Sequence, residues 1–227
     1  VTKPTGRSSD KVGRPRHFDE ETERGIVMDA AVRVMARNGF ANMSVADILA
    51  EAELSTTSFY RHFQSKDKLL AALIRRDGES VQRALQRAIA AAQEPVAALE
   101  AWLDGVLDVF YEPRKASRTA LFITSEARSA YRNNVEILEM RWLLSEPLIK
   151  VLRAGHRAGA MNSAKPEADA VTLFAVVSSA ATAPHAYPRS RKAARAQAVR
   201  FIWPALGISH AGGRNRRSGQ TREQHAP

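Results

Sequence analysis

From Phe18 to Leu206, apolar residues recur at intervals of three and four, and no stretch alternates with a period of two. This rhythm gives each segment one apolar stripe suited to a helix and leaves nothing for a half-buried strand. The fold class it predicts is all-α, with about nine helices. The first starts at the carboxylate cluster Asp19, Glu20, Glu21 and Glu23, where a helix N-terminus favours negative charge, and ends at Asn38-Gly39. A short helix over Val45–Ala52 is announced by Ser44 and Asp47, which have the spacing of a capping box. A second short helix runs from Thr56 to about Phe63 behind Ser55 as N-cap, and a long one from Ser65 to about Ala92. Further helices are expected over about 96–112, 115–125, 127–158, 166–185 and 190–206. Pro147 predicts a kink or break in the seventh, and Gly207 a stop after the ninth.

Charge is unevenly placed. Of the net +10, residues 1–17 hold +4 (five cations, one anion) and residues 211–227 hold +3 (four cations, one anion). Both tails are nearly free of apolar side chains, so neither offsets its ordering entropy and both are read as disordered. Basic tails beside a folded domain suit an anionic partner, nucleic acid first, or simply keep the chain soluble. The chain has no cysteine, which excludes disulfide scaffolds, thiol catalysis and cysteine-ligated zinc. The six histidines have no metal-ligand spacing, and no nucleophile elbow, P-loop or glycine-rich nucleotide loop appears. We therefore expect no enzymatic activity, no catalytic or metal-binding residue and no cofactor. No apolar run approaches the roughly 20 residues of a membrane span, and the polar N-terminus lacks a signal core, so the expected location is cytoplasmic.

The two short helices, with their supporting first helix, have helix-turn-helix proportions. Phe59 and Phe63, four apart, are expected to anchor the second short helix on the core. That leaves Ser55, Thr56, Thr57, Tyr60, Arg61 and His62 on its other side. Their hydroxyls and amides suit phosphates, and their modest size suits close entry to a major groove. Lys66, at the start of the next helix, is placed as a phosphate contact. In the basic arm, Gly13-Arg14-Pro15-Arg16 resembles the core of an AT-hook, whose extended arginines (here Arg14 and Arg16) suit a narrow minor groove.

The residues Gly39-Phe40, Ser44-Val45, Asp47-Ile48, Ala52, Leu54-Ser55, Ser58-Phe59-Tyr60-Arg61-His62-Phe63, Ser65-Lys66-Asp67 and Leu69-Leu70 resemble the TetR family of bacterial transcriptional regulators across about residues 24–73. Two positions depart from the family pattern. Ser44 replaces the usual threonine, and Glu53 stands where glycine is usual, so either Glu53 is left-handed or the turn differs. The resemblance implies a helical homodimer that binds a near-palindromic double-stranded DNA operator, usually as a repressor, and is released by a small-molecule effector. It implies DNA contacts from Ser44, Thr56, Thr57, Tyr60, His62 and Lys66. The corresponding domains are a basic arm (1–17), a DNA-binding domain (18–75), a regulatory and dimerisation domain (76–210) and a basic tail (211–227).

By the same resemblance, Trp102, Val106, Phe110, Phe122, Trp142 and Phe174 lie on helices that surround an effector pocket. Six alanines within 168–183 allow the penultimate helix close approach to a neighbour. That neighbour is either another chain, making a four-helix dimer interface from the last two helices, or the rest of this one. The long helix from Ser65 is the expected lever, with Asp77-Gly78 as its soft point.

Overall fold

The computed structural model describes residues 19–124, 135–163, 165–182 and 190–208. Among them are nine α-helices and no strand: α1 Glu20–Asn42, α2 Val45–Ala52, α3 Thr56–His62, α4 Lys66–Ala91, α5 Pro95–Tyr111, α6 Pro113–Phe122, α7 Val135–Arg157, α8 Pro166–Thr182 and α9 Arg191–Ala205. The contacts divide the chain into two compact units between Lys66 and Asp67, at the first turn of α4.

In the first unit, Asp19 caps α1 by accepting from the Thr22 amide (2.9 Å) and hydroxyl (2.6 Å), ahead of three acidic residues in the first turn. Val27, Ala30, Ala31, Val34 and Met35 form its buried stripe. Gly39, with φ +73°, breaks the helical path, and one more turn leads through the buried Phe40. The capping box on α2 is formed in both directions: the Asp47 amide donates to Ser44 Oγ (3.1 Å), and the Ser44 amide donates to the Asp47 carboxylate (3.0 Å). Glu51 on α2 receives Arg33 and Arg37 of α1, each at 2.5 Å, and so fixes the register between these helices.

The second unit is built around α5, whose Leu99, Trp102, Leu103, Val106 and Leu107 are wholly buried. Packed with them are Leu148 and Leu152 of α7, Val177 of α8 and Ile202 of α9. Charge pins the last helix to the centre. Arg191 donates to Asp108 (2.8 Å) and Asp104 (3.0 Å), and Arg195 donates to Asp104 (3.0 Å). Glu112-Pro113 closes α5, as its sequence suggests, and also opens α6, with the Glu112 carboxylate accepting from the Arg114 and Lys115 amides.

The structure corrects two expectations. The helix carrying Pro147 does not break there, because α7 continues from Val135 to Arg157. A proline leaves the carbonyl ladder of its own helix locally short of donors. Pro147 takes the donor from the Leu143 carbonyl, four residues back, while the buried Trp102 indole N–H donates to the next carbonyl, that of Leu144, at 3.0 Å and ties α7 to α5. Gly78, read as a soft point, is buried in α4. An added Cβ there would lie 3.2 Å from the Leu143 side chain and 3.3 Å from Met140, so the glycine permits a close helix approach. The expected parts of the seventh and eighth helices at 127–134 and 183–185, and both tails, lie outside the described residues.

Replacing Trp102 with Phe removes the indole donor and leaves a void. We expect a loss on the order of 2 kcal/mol, read as a lower urea midpoint. An unchanged midpoint would show that the Trp102–Leu144 tie contributes nothing to the second unit.

Candidate nucleic-acid interface and an apolar cavity

The seven residues of α3 are held by what lies beneath them. Phe59 and Phe63 are buried with ring centroids 5.9 Å apart. Ser55 caps the helix, accepting from the Ser58 amide. Thr56, Thr57 and Tyr60 are exposed. The Tyr60 ring stands edge-on to Phe59 at 5.3 Å with 58% of the residue open to solvent. Ser44 and Ser55 are also exposed, each at a helix N-cap. Lys66 is half-buried. Its ammonium donates to the Phe40 carbonyl at 3.2 Å and lies 4.6 Å from the Phe40 ring centre, bracing the last turn of α1. Arg14 and Arg16 lie outside the described residues.

His62 departs from the outward orientation expected of it. Its side chain is 2% exposed, with Nε2 3.8 Å from Glu23 of α1. Arg61 also turns toward Glu23, donating at 2.8 Å while half of its side chain stays in solvent. Glu23 is therefore the buried charge beneath α3. The Ser58 hydroxyl dipole, then the Arg61 and His62 side chains, hold its carboxyl below the usual range against the opposing effect of burial. Its Oε1 has no hydrogen-bond partner among the described residues, so Ser58 acts as a nearby dipole rather than through a formed bond. The signal was present in sequence: Glu23 lies one turn before Val27, on the stripe that becomes the core face of α1.

A depressed folded pKa means that Glu23 contributes stability above its ordinary carboxylate value and loses it as pH falls through the folded value. Glu23→Gln is therefore expected to cost about 1–2 kcal/mol at neutral pH, and the gap from the parent should close on acidification below about pH 4. Urea titrations at both pH values check this, and a gap independent of pH would show that the carboxylate charge is not what matters.

The turn between α2 and α3 takes one of the two routes open to it. Glu53 adopts φ 54°, ψ 40°, left-handed, and is the only non-glycine with positive φ among the described residues. Its amide returns to the end of α2, and the Leu54 amide donates to Leu49 O at 3.1 Å, closing the turn. Glu53→Gly should relieve this backbone cost and stabilise the first unit by about 0.5–1 kcal/mol, despite the added freedom of the unfolded chain. Thermal melting measures it, and a lower Tm would contradict the account.

The second unit holds a partly open cavity of about 570 Å³ between α4, α5, α6, α7 and α8. Its walls are Ile74, Val81, Val106, Val109, Phe110, Phe122, Ile123, Met140, Leu144, Phe174 and Ala175, with Gly78 on α4 and the polar Asp77, Thr119, Arg141 and Ser178. Val106, Phe110, Phe122 and Phe174 of the expected lining are among them. Trp102 and Trp142 are not: Trp102 is spent in the core on Leu144, and Trp142 is 47% exposed on α7. Arg141 is one of three arginines, with Arg128 and Arg132, whose sequence positions suit either an anionic group on a ligand or a solvated face; Asp77, Thr119 and Ser178 were missed, although Ser178 lies one turn beyond Phe174 on the same face of α8.

Residues 27–73, from α1 through the helix-turn-helix into α4, match the family model for bacterial regulatory proteins of the tetR family. The fold is similar to that of a TetR-family transcriptional regulator from Pectobacterium atrosepticum, at 23% identity and TM-score 0.64, over 82% of this chain and 93% of that one. It is also similar to a TetR-family regulator from Agrobacterium tumefaciens, at 17% identity and TM-score 0.56, over 83% and 100%. A third is RolR in complex with resorcinol, at 20% identity and TM-score 0.58, over 83% and 89%. Among the described residues no helix is long and apolar enough to cross a membrane. The helix-turn-helix of residues 27–73 is thus of the tetR type, and it is set in a helical fold similar to those of these regulators.

Proposed function

We propose that the chain is a homodimeric repressor that reads a near-palindromic operator with α3 and is released by a small molecule bound in the cavity of its second unit. The observation that carries this reading is the two-faced character of α3, with Phe59 and Phe63 inward and Thr56, Thr57 and Tyr60 in solvent. Thr56 and Thr57 read base edges. Ser44, Ser55, Tyr60 and Lys66 engage phosphates, with the exposed part of Arg61 alongside. His62 supports the helix from within. Arg14 and Arg16 reach from the basic arm into an adjacent minor groove.

Two copies meet through the outer faces of α8 and α9. Ala168, Thr172, Val176 and Ser179 form a small-residue face on α8, and α9 presents Phe201 with 54% of its surface open. Small residues beside one large apolar side chain favour close helix packing across a two-fold axis. The domains follow as an arm (1–17), a reading head (18–75), a regulatory body (76–210) and a basic tail (211–227). Release requires only that the ligand prefer the dimer geometry that does not match successive major grooves, about 34 Å apart. RolR, which has a similar fold, was crystallised with resorcinol, a small organic molecule.

Selection of bound sequences from random DNA, followed by anisotropy titrations, tests the reading. An inverted repeat should emerge and bind about 10³-fold or more tightly than random DNA. Thr57→Ala should relax preference at one position per half-site by about 1–3 kcal/mol. Lys66→Ala should weaken all sequences alike and reduce the salt slope by about 1. Equal affinity for every sequence would make the protein a DNA-organising factor instead.

A further inference from the structure

The hydrogen-bonding capacity of the cavity is one-sided. Four polar side chains line it, and two of them are already spent. Asp77 gives both carboxylate oxygens to Arg118, at 2.5 and 3.1 Å, so its charge is neutralised within the wall. The Thr119 hydroxyl donates its proton to the Val109 carbonyl at 3.0 Å. The other two are unspent. Ser178 Oγ is buried and has no hydrogen-bond partner, and the Arg141 guanidinium makes no ion pair among the described residues. A buried hydroxyl without a partner costs stability, and Arg141, half-buried on an apolar wall, has no counter-charge beside it among the described residues. Both deficits are met by one kind of guest, which brings acceptor oxygens and negative charge and leaves the apolar walls to an apolar body.

We propose that the cavity takes an amphipathic organic monoanion: a carboxylate, met by Arg141 and the Ser178 hydroxyl, on an aliphatic or aromatic body held among Val106, Phe110, Phe122 and Phe174. The inference rests on the reading of this cavity as the effector site and adds to it the chemical class of the effector. At roughly 30 Å³ per water-sized group, the volume of about 570 Å³ admits on the order of 15–20 non-hydrogen atoms. A bare inorganic anion would leave the apolar walls empty. A cation would meet Arg141 with like charge. A neutral lipid would leave Arg141 uncompensated.

The full-length protein is titrated calorimetrically with three probes of matched chain length: decanoate, decanamide and decylammonium. Decanoate is expected to bind about ten-fold or more tightly than decanamide, and decylammonium more weakly still. Arg141→Gln should erase the preference for carboxylate over amide, Arg141→Lys should restore most of it, and Ala175→Phe should block all binding by filling the cavity. Tightest binding of the amide or the ammonium, a preference indifferent to Arg141→Gln, or no binding by any probe would overturn the ligand class. Anisotropy with the selected operator separates this from the parent reading. Decanoate that binds and is excluded by Ala175→Phe, yet leaves operator affinity unchanged, would uphold the carboxylate site and defeat release by ligand. An amide or ammonium that binds best and releases DNA would do the reverse.

Discussion

A helix of seven residues has no business standing by itself in water. Fixing its first turn costs more than its few hydrogen bonds return, and isolated helices are marginal below about 12–15 residues. The reading surface we propose, α3, is such a helix, so everything it presents outward depends on what it buries inward. Phe59 and Phe63 supply the apolar anchor. The capped α2 and the left-handed Glu53 fix where α3 begins. The exposed hydroxyls are useful only because these inward contacts leave them a single orientation.

The buried carboxylate of Glu23 adds direction to that anchoring. Apolar packing alone is tolerant of small rotations, whereas a charge in a dry site is not, because losing its partners leaves it unsolvated. Glu23 faces Ser58, Arg61 and His62, all on α3 and within five residues of one another. A rotation of α3 about its axis would pull all three away together. The price of burying Glu23 is thus tied to one setting of the helix, the setting that places Thr56, Thr57 and Tyr60 in solvent. Lys66 acts comparably at the other end of α1, where its ammonium meets the Phe40 carbonyl and ring.

Local signals made much of this legible in the sequence. The capping box at Ser44 and Asp47, the aromatic pair at Phe59 and Phe63 and the stop at Gly207 all act through neighbours within one helical turn, and each lies where its pattern placed it. Misreadings arose where a distant residue decides. His62 has the polarity of a surface side chain, and only its pairing with Glu23, 39 positions earlier, turns it inward. Gly78 reads as weakness in a helix until Leu143 and Met140 are brought against it. Pro147 reads as a break, yet α7 runs through it from Val135 to Arg157. Trp102 and Phe110 share one helix and one aromatic character, yet only Phe110 reaches the cavity, since the rotation of α5 against its neighbours is set by the whole core.

The cavity belongs to the second unit and the hydroxyl face of α3 to the first. The release by ligand that we propose then has a single thermodynamic source, a difference in ligand affinity between the conformation that fits DNA and one that does not. To carry the protein from almost wholly bound to almost wholly released, that difference must approach 10⁴-fold, or about 5.5 kcal/mol. Apolar walls are poorly suited to supply it, because they accommodate a small change of shape at little cost. Donors without partners are better suited, because a hydrogen bond to a charged group falls off steeply with misalignment. On this argument Ser178 and Arg141 contribute more to discrimination between conformations than the phenylalanines that supply most of the wall.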